Sequence, residues 1–310
     1  MALTKENIMQ VKGRGFLRNR GTDCFSGRIV AAGGAYTAEQ LKVLSECAEQ
    51  YGNGKIIFTS RLCAEIPGIP FEKIPEAEAF VEAHGMAFGG TGAKVRPITA
   101  CKGTTCVYGN IDTHALAKEL HERFYLGMRG VQLPHKFKIG VCGCPNSCMK
   151  PSLNDIGFEG RRVFEFDAEL CKGCKKCAVE ANCPSKAAKV MDGKCVINAE
   201  KCLRCGVCVG KCPFGAVPQE AASACRVYVG GTWGKSTRMG TPLKALIPVE
   251  ECGDMVEKAM LWYRENGYAK ERFGVTIDRI GIEVFEAAVL GNDLLDRKEE
   301  ILAKPIQERT

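Results

Sequence analysis

Leu133-Pro-His-Lys136-Phe-Lys138-Ile-Gly-Val-Cys142-Gly-Cys144-Pro-Asn-Ser-Cys148 is the stretch on which the reading of this chain turns. Lys136 and Lys138 are two apart, so an extended strand points both to one side while Phe137, Ile139 and Val141 point to the other. Pro145 suits the first position of a helix, where its missing N–H costs nothing. Cys144 and Cys148, four apart, then share a helix face. The spacing predicts a cationic strand running into a thiol pair at a helix start, where the dipole favours thiolate. Upstream, Cys101-Lys-Gly-Thr-Thr-Cys106 supplies a second thiol pair. Cations beside thiolates suit a reduced metal centre and an anion.

A second cysteine block runs Cys171-Lys-Gly-Cys174-Lys-Lys-Cys177 to Cys183-Pro184, and recurs 31 residues on as Cys202-Leu-Arg-Cys205-Gly-Val-Cys208-Val-Gly-Lys-Cys212-Pro213. It resembles the bacterial two-cluster ferredoxin, whose Cys-x2-Cys-x2-Cys-x3-Cys-Pro runs each send their last cysteine to the other cluster. The resemblance implies one [4Fe-4S] cluster on Cys171, Cys174, Cys177 and Cys212, and another on Cys202, Cys205, Cys208 and Cys183. The second run matches in full, whereas the first has five residues before Cys183 and predicts a looser loop. Zinc is the competing reading of paired Cys-x2-Cys motifs.

With both blocks in view, the chain resembles the sirohaem-dependent sulfite and nitrite reductase family, and most of all the subunits of its anaerobic and dissimilatory-type sulfite reductases, which carry an inserted ferredoxin module. The resemblance implies a further [4Fe-4S] cluster on Cys101, Cys106, Cys144 and Cys148, with Cys148 bridging to sirohaem iron. The first pair departs from the family's commonest Cys-x5-Cys by one residue. It implies that Arg61 in Phe58-Thr-Ser-Arg61, Arg96 in Lys94-Val-Arg96-Pro, Lys136 and Lys138 hold the substrate oxyanion. Arg28, Lys102 and Arg129 are further candidates for sirohaem carboxylates; a solvated side chain is the alternative for each basic residue. The implied cofactors are sirohaem and three [4Fe-4S] clusters, and the implied reaction is sulfite to sulfide, with lysine at both 136 and 138 favouring sulfite. Nitrite reduction to ammonia, or an electron-transfer subunit with a silent sirohaem site, are the alternatives. Larger members carry two copies of the repeat, so a homodimer or a complex with a related subunit is expected. No dinucleotide fingerprint is visible, which points to a separate flavoprotein or ferredoxin subunit as electron donor.

Composition agrees: 310 residues, 45 % hydrophobic and 25 % charged, describe an ordinary soluble chain. No apolar run approaches the ~20 residues of a membrane span, and the first residues lack an apolar signal core, so a cytoplasmic protein is expected. Nineteen cysteines, clustered, point to metal rather than disulfides. The net charge of +7 comes without a basic run or a nucleic-acid motif. Cys24, Cys47, Cys63, Cys142, Cys195, Cys225 and Cys252 remain; apart from Cys142, which neighbours the cluster motif, they fit no ligand spacing, and the group reads as small buried hydrophobes. His135 abuts the lysines and reads either as a proton relay or as packing.

The expected fold class is α+β. An irregular arm over 1–20 precedes a ferredoxin-like half-domain over 21–90, with a helix opened by the capping box Thr37-Ala-Glu-Gln40 and a turn at Glu65–Ile69. A sirohaem domain occupies 91–165 and resumes over 219–310 with the C-terminal helices, interrupted by the two-cluster module over 166–218. Gly89-Gly-Thr-Gly92 reads as a linker turn or as an amide cradle for an anion.

Overall fold

Phe25, Gly27 and Ile29 alternate inward along strand β2 (Cys24–Ile29) and lay one sheet face against a first hydrophobic core. The computed structural model describes residues 3–309. Here β1 (Phe16–Arg18), β2, β3 (Ile57–Phe58) and β4 (Ala64–Pro70) form an antiparallel sheet in the order β1-β2-β4-β3. Helices α2 (Ala38–Tyr51) and α3 (Ile74–Ala83) bury Val43, Leu44, Cys47, Ala77 and Val81 in the same core. Helix α2 starts at the expected capping box, in which Thr37 and Gln40 exchange side-chain-to-backbone hydrogen bonds.

Two local expectations are corrected. The stretch expected as an irregular arm contains helix α1 (Lys5–Arg14) and then β1, which pairs with β2. Thr4 and Asn7 form its capping box, Val11 is buried, and Gly15 at φ 113° ends the helix. A Cβ at Gly15 would lie 2.4 Å from the Gly89 nitrogen, so only glycine passes there. Residues Glu65–Ile69, expected as a turn, belong to strand β4. The Pro67-Gly68 signal marks an irregular ladder instead: Gly68 sits at φ 86°, and the register to β2 shifts between Phe25 and Gly27.

The second core sits under a five-stranded mixed sheet. Strands β5 (Thr99–Ala100), β6 (Ile139–Cys142) and β7 (Ile156–Val163) run parallel. Every residue of β6 is buried, as befits a strand covered on both faces. Helix α4 (Thr113–Leu120) is capped by the Asp112 carboxylate and continues as a π-helical turn over His121–Leu126.

After β7 the chain leaves the sheet. It forms α5 (Ala178–Asn182) and the hairpin of β8 (Ala188–Met191) and β9 (Lys194–Ile197) around Val179, Ala188, Cys195 and Val217. It returns as β10 (Ala222–Val229), antiparallel to β7 along its whole length from Val163↔Ala222 to Ile156↔Val229. The inserted unit is therefore the loop of a β-hairpin. Strand β11 (Thr241–Pro248) and helices α6 (Cys252–Asn266), α7 (Phe273–Ile280) and α8 (Ile282–Leu290) complete the layer. Phe137, Trp262, Tyr263, Phe273 and Phe285 meet there edge to face. Among the described residues no helix is long and apolar enough to cross a membrane.

Candidate functional site

The basic residues gather at the N-terminal ends of the parallel strands. A parallel bridge between Val95 and Phe137 sets Arg96 beside the lysine pair, with Arg96 N–H donating to the Phe137 carbonyl at 2.7 Å. Phe137, Ile139 and Val141 are fully buried while Lys136 and Lys138 are half-buried, which is the expected alternation, although ladder pairing starts only at Ile139. Asp155, fully buried just ahead of β7, accepts from Lys138 N–H at 2.9 Å and from Arg272 Nη2 at 2.9 and 3.1 Å. Burial, reinforced by Arg61, pushes the Lys138 ammonium down to about 8. Lys136 is lowered too, first by burial and then by Arg272 and Arg96. Burial and the same cations push His135 down to about 4, and its Nδ1 accepts the Lys136 N–H at 2.7 Å. His135 is therefore a neutral brace at neutral pH rather than a charged proton store.

The arginines of this region differ in what they have left to offer. Arg61 donates to the carbonyls of Pro97 and Ile139 and to Asn154 Oδ1, four donations that leave a single guanidinium N–H. It ties the half-domain to the mixed sheet. Arg28 is paired with Glu65 and donates to the Gly90 carbonyl at 3.0 Å. Arg96 also donates to Gly90, so the Gly89–Gly92 stretch offers a carbonyl to cations. Arg96 and Arg272 each keep a buried Nε with no partner. Arg129 donates to the Phe88 carbonyl at 3.3 Å and lines a cavity with Tyr125, Gly89 and Gly90.

The thiols gather at the opposite, C-terminal ends of the same strands. Cys101 follows β5, its N–H donating to the Val141 carbonyl at 3.0 Å, and exposed Lys102 is next to it. Gly143 N–H donates to Cys101 Sγ at 3.1 Å. Burial pushes the Cys144 thiol up, and neighbouring Cys101, Cys106 and Cys148 add to it, so the four stand together. The expected helix at Cys144 is absent: residues 144–150 form two turns, with Ser147 and Lys150 at φ 52° and 48°. Ser147 hydroxyl donates to the buried Glu159 carboxylate on β7, and this tie draws the chain out of helical geometry. It leaves Cys148 exposed while Cys144, Cys101 and Cys106 stay half-buried.

The insert holds two more thiol groups. Cys183, Cys202, Cys205 and Cys208 line one cavity, and Cys171, Cys174, Cys177 and Cys212 line another. Backbone N–H groups donate to sulfur in both: Ala188 to Cys183, Arg204 to Cys202 and Cys195 to Cys171, each at 3.4 Å. Among the described residues no three ligating side chains meet as around a single ion. Thiols spaced around a void, with amides aimed at sulfur, suit a cluster with several irons.

The chain matches the nitrite and sulphite reductase 4Fe-4S domain over residues 91–297 and the nitrite/sulfite reductase ferredoxin-like half domain over 18–84. It belongs to the nitrite and sulphite reductase family. It is 31 % identical over 279 residues to the coenzyme F420-dependent sulfite reductase of Methanocaldococcus jannaschii, covering 88 % of this chain and 42 % of that one. It is 33 % identical over 178 residues to one subunit of the anaerobic sulfite reductase of Salmonella typhimurium, covering 51 % of this chain and 49 % of that one. The chain thus spans about half or less of these two relatives. The crystal structure of dissimilatory sulfite reductase I shares the fold, with a TM-score of 0.68 at 20 % identity over 86 % of this chain and 69 % of that one.

Three residues of this nitrite and sulphite reductase family member belong to no motif of their own. Arg272 lies 117 residues from its partner Asp155 and fits no motif. Cys142 accepts the Met149 N–H at 3.1 Å and its thiol donates to Cys101, while Cys195 lines the cavity of Cys171. Only their nearness to the motif cysteines set these two thiols apart.

Proposed function

We propose that this chain reduces sulfite to sulfide, with one [4Fe-4S] cluster on Cys101, Cys106, Cys144 and Cys148, sirohaem beside Cys148, and two ferredoxin-type clusters in the insert. When bound, sirohaem next to a cluster supplies a centre that takes up electrons singly while holding its ligand. The observation that carries the reading is the polarity of parallel β5 and β6: Arg96, Lys136 and Lys138 at one end, a thiol quartet at the other.

The chain's own residues divide the work. Lys136, Lys138 and Arg96, half-buried and in no ion pair among the described residues, Asp155 beside them being paired with Arg272, bind and orient an oxyanion and stabilise negative charge as oxygen leaves. Arg61 contributes its one free N–H and holds the Lys138 strand in place through the Ile139 carbonyl. Lys138, with its ammonium lowered to about 8, can release a proton to departing oxygen near neutral pH. Arg28, Lys102 and Arg129 are proposed partners for sirohaem carboxylates, Arg28 least, since Glu65 already neutralises it. Because cations and thiols lie at opposite ends of the strands, a complete site needs a second copy or a related subunit.

The test is iron and chromophore content of anaerobically purified protein. Three cubanes and one haem iron give about 13 irons per chain with extractable sirohaem. About 12 irons without a tetrapyrrole contradicts the catalytic reading. Turnover of sulfite against nitrite with a viologen donor then identifies the substrate.

A further inference from the structure

The two thiol cavities of the insert are not equivalent, and the difference bears on where electrons come in; this inference rests on the cluster ligation proposed above. The inner cavity, with Cys202, Cys205 and Cys208, is docked on the mixed sheet. Arg162 N–H donates to the Arg204 carbonyl at 2.8 Å, and Arg161 donates to the Leu203 carbonyl. A Cβ at Gly206 would lie 2.6 Å from Arg162 Cγ, so the loop touches the sheet backbone-close. Asn110, 6 % exposed, joins this loop to the thiol quartet. Its Nδ2 donates to the Cys205 carbonyl at 3.3 Å, and its own N–H donates to the carbonyl of Gly143, the neighbour of Cys144, at 2.8 Å.

Among the described residues the outer cavity has no such connection. Cys171 receives the N–H of Cys195, and Asp167 N–H donates to the Ala216 carbonyl, bonds that stay within the insert. Its loop instead carries Lys172, Lys175 and Lys176, all exposed, with no acidic residue between Leu170 and Cys177. Exposed Leu170 and Phe214 stand beside them, 43 % and 46 % accessible. The flanking acids are Glu169 and Glu180, and Glu180 is engaged by the Val190 N–H at 3.0 Å. Three exposed lysines on one loop, with two exposed apolar side chains near them, are complementary to an acidic carrier with an apolar contact spot.

We propose that the Cys171, Cys174, Cys177 and Cys212 site is where electrons arrive, from a small acidic one-electron carrier protein docked on Lys172, Lys175 and Lys176, and that the Cys183, Cys202, Cys205 and Cys208 site relays them to the quartet across Asn110. Each transfer oxidises the reduced carrier by one electron and reduces the outer cluster by one, with no atom exchanged.

The experiment is anaerobic stopped-flow reduction of the holoprotein, followed by cluster bleaching, with a reduced acidic plant-type [2Fe-2S] ferredoxin as probe. The K172E/K175E/K176E variant is expected to lose at least about tenfold in second-order rate and most of its salt dependence. Its reduction by methyl viologen and its iron content should match wild type, as should both rates in a K186E/K189E/K201E control. Asn110→Leu should leave insert bleaching at its normal rate and delay reduction of the sirohaem-coupled centre. Ferredoxin rates in the triple variant equal to wild type, an equal loss in the control, or no reduction of wild type by ferredoxin overturns the proposal. Wild-type protein without cubane absorbance would instead remove the cluster reading itself, before any rate is measured.

Discussion

Lys138 and Cys142 stand at the two ends of strand β6, about 13 Å apart by the rise of an extended strand. Lys136 lies before Lys138 and Cys144 after Cys142, so the proposed oxyanion-binding cations and the proposed ligand thiols flank β6 on either side. Neighbouring β5 runs parallel to β6 and repeats the same polarity, with Arg96 before it and Cys101 after it, while Asp155 ahead of parallel β7 anchors the cationic end. One chain therefore carries its cations and its thiols at opposite strand ends. The proposed isologous pairing, in which the cations of one copy face the thiols of the other, would complete two sites at once.

In its proposed role, Lys138 sets a pH limit on substrate binding. Its ammonium, lowered to about 8 by burial, is charged below that value and neutral above it. The KM for sulfite should rise as pH passes through about 8. Lys138→Arg keeps its charge, so its KM should stay flat to higher pH, and comparing the two enzymes cancels the substrate's own ionisation.

Asp155 and Arg272 form a buried pair whose halves depend on each other. Asp155→Ala should destabilise the chain by about 3 kcal/mol or more, because Arg272 is left buried without its counter-charge and Lys138 N–H without an acceptor. Asp155→Leu combined with Arg272→Met should recover part of that loss. Urea midpoints of the three variants measure it.

The β7–β10 ladder closes at Val163↔Ala222, so residues 164–221 should be removable. Replacing them with Asn-Gly, a two-residue hairpin turn, should give folded protein with about eight fewer irons per chain. Circular dichroism and iron analysis check this; an unfolded product would show the insert to be part of the core.

Cys195 and Cys171 line one cavity but differ in what they lend it. Cys195 serves Cys171 through its backbone N–H, which Cys195→Ser retains, so iron content should hold. Cys171→Ser should lose about four irons, or leave a three-iron centre visible by EPR.

Legibility in the sequence followed the range of the cause. Cysteine spacings and the Thr37 capping box are local, and the structure gathers those cysteines into three groups and starts α2 at Thr37. Lysine alternation is also local, since it needs only a period of two. The helix expected at Cys144 failed because Glu159, on another strand, captures Ser147. The helix at Lys5 was missed because Asn7 stands where a capping box usually has Glu or Gln. Arg272, Asn110 and the opposed poles depend on parallel register and distant pairing, for which no short pattern exists.

The most direct test of the shared site is complementation between copies. Lys136→Ala/Lys138→Ala and Cys148→Ala should each be inactive as a homodimer. Mixed and allowed to exchange, half of the dimers pair one of each, and one of the two sites in such a dimer is intact. The account predicts recovery of about a quarter of wild-type sulfite turnover. Mixtures that stay inactive despite demonstrated subunit exchange would contradict it, and would place cations and thiols of a working site in one chain.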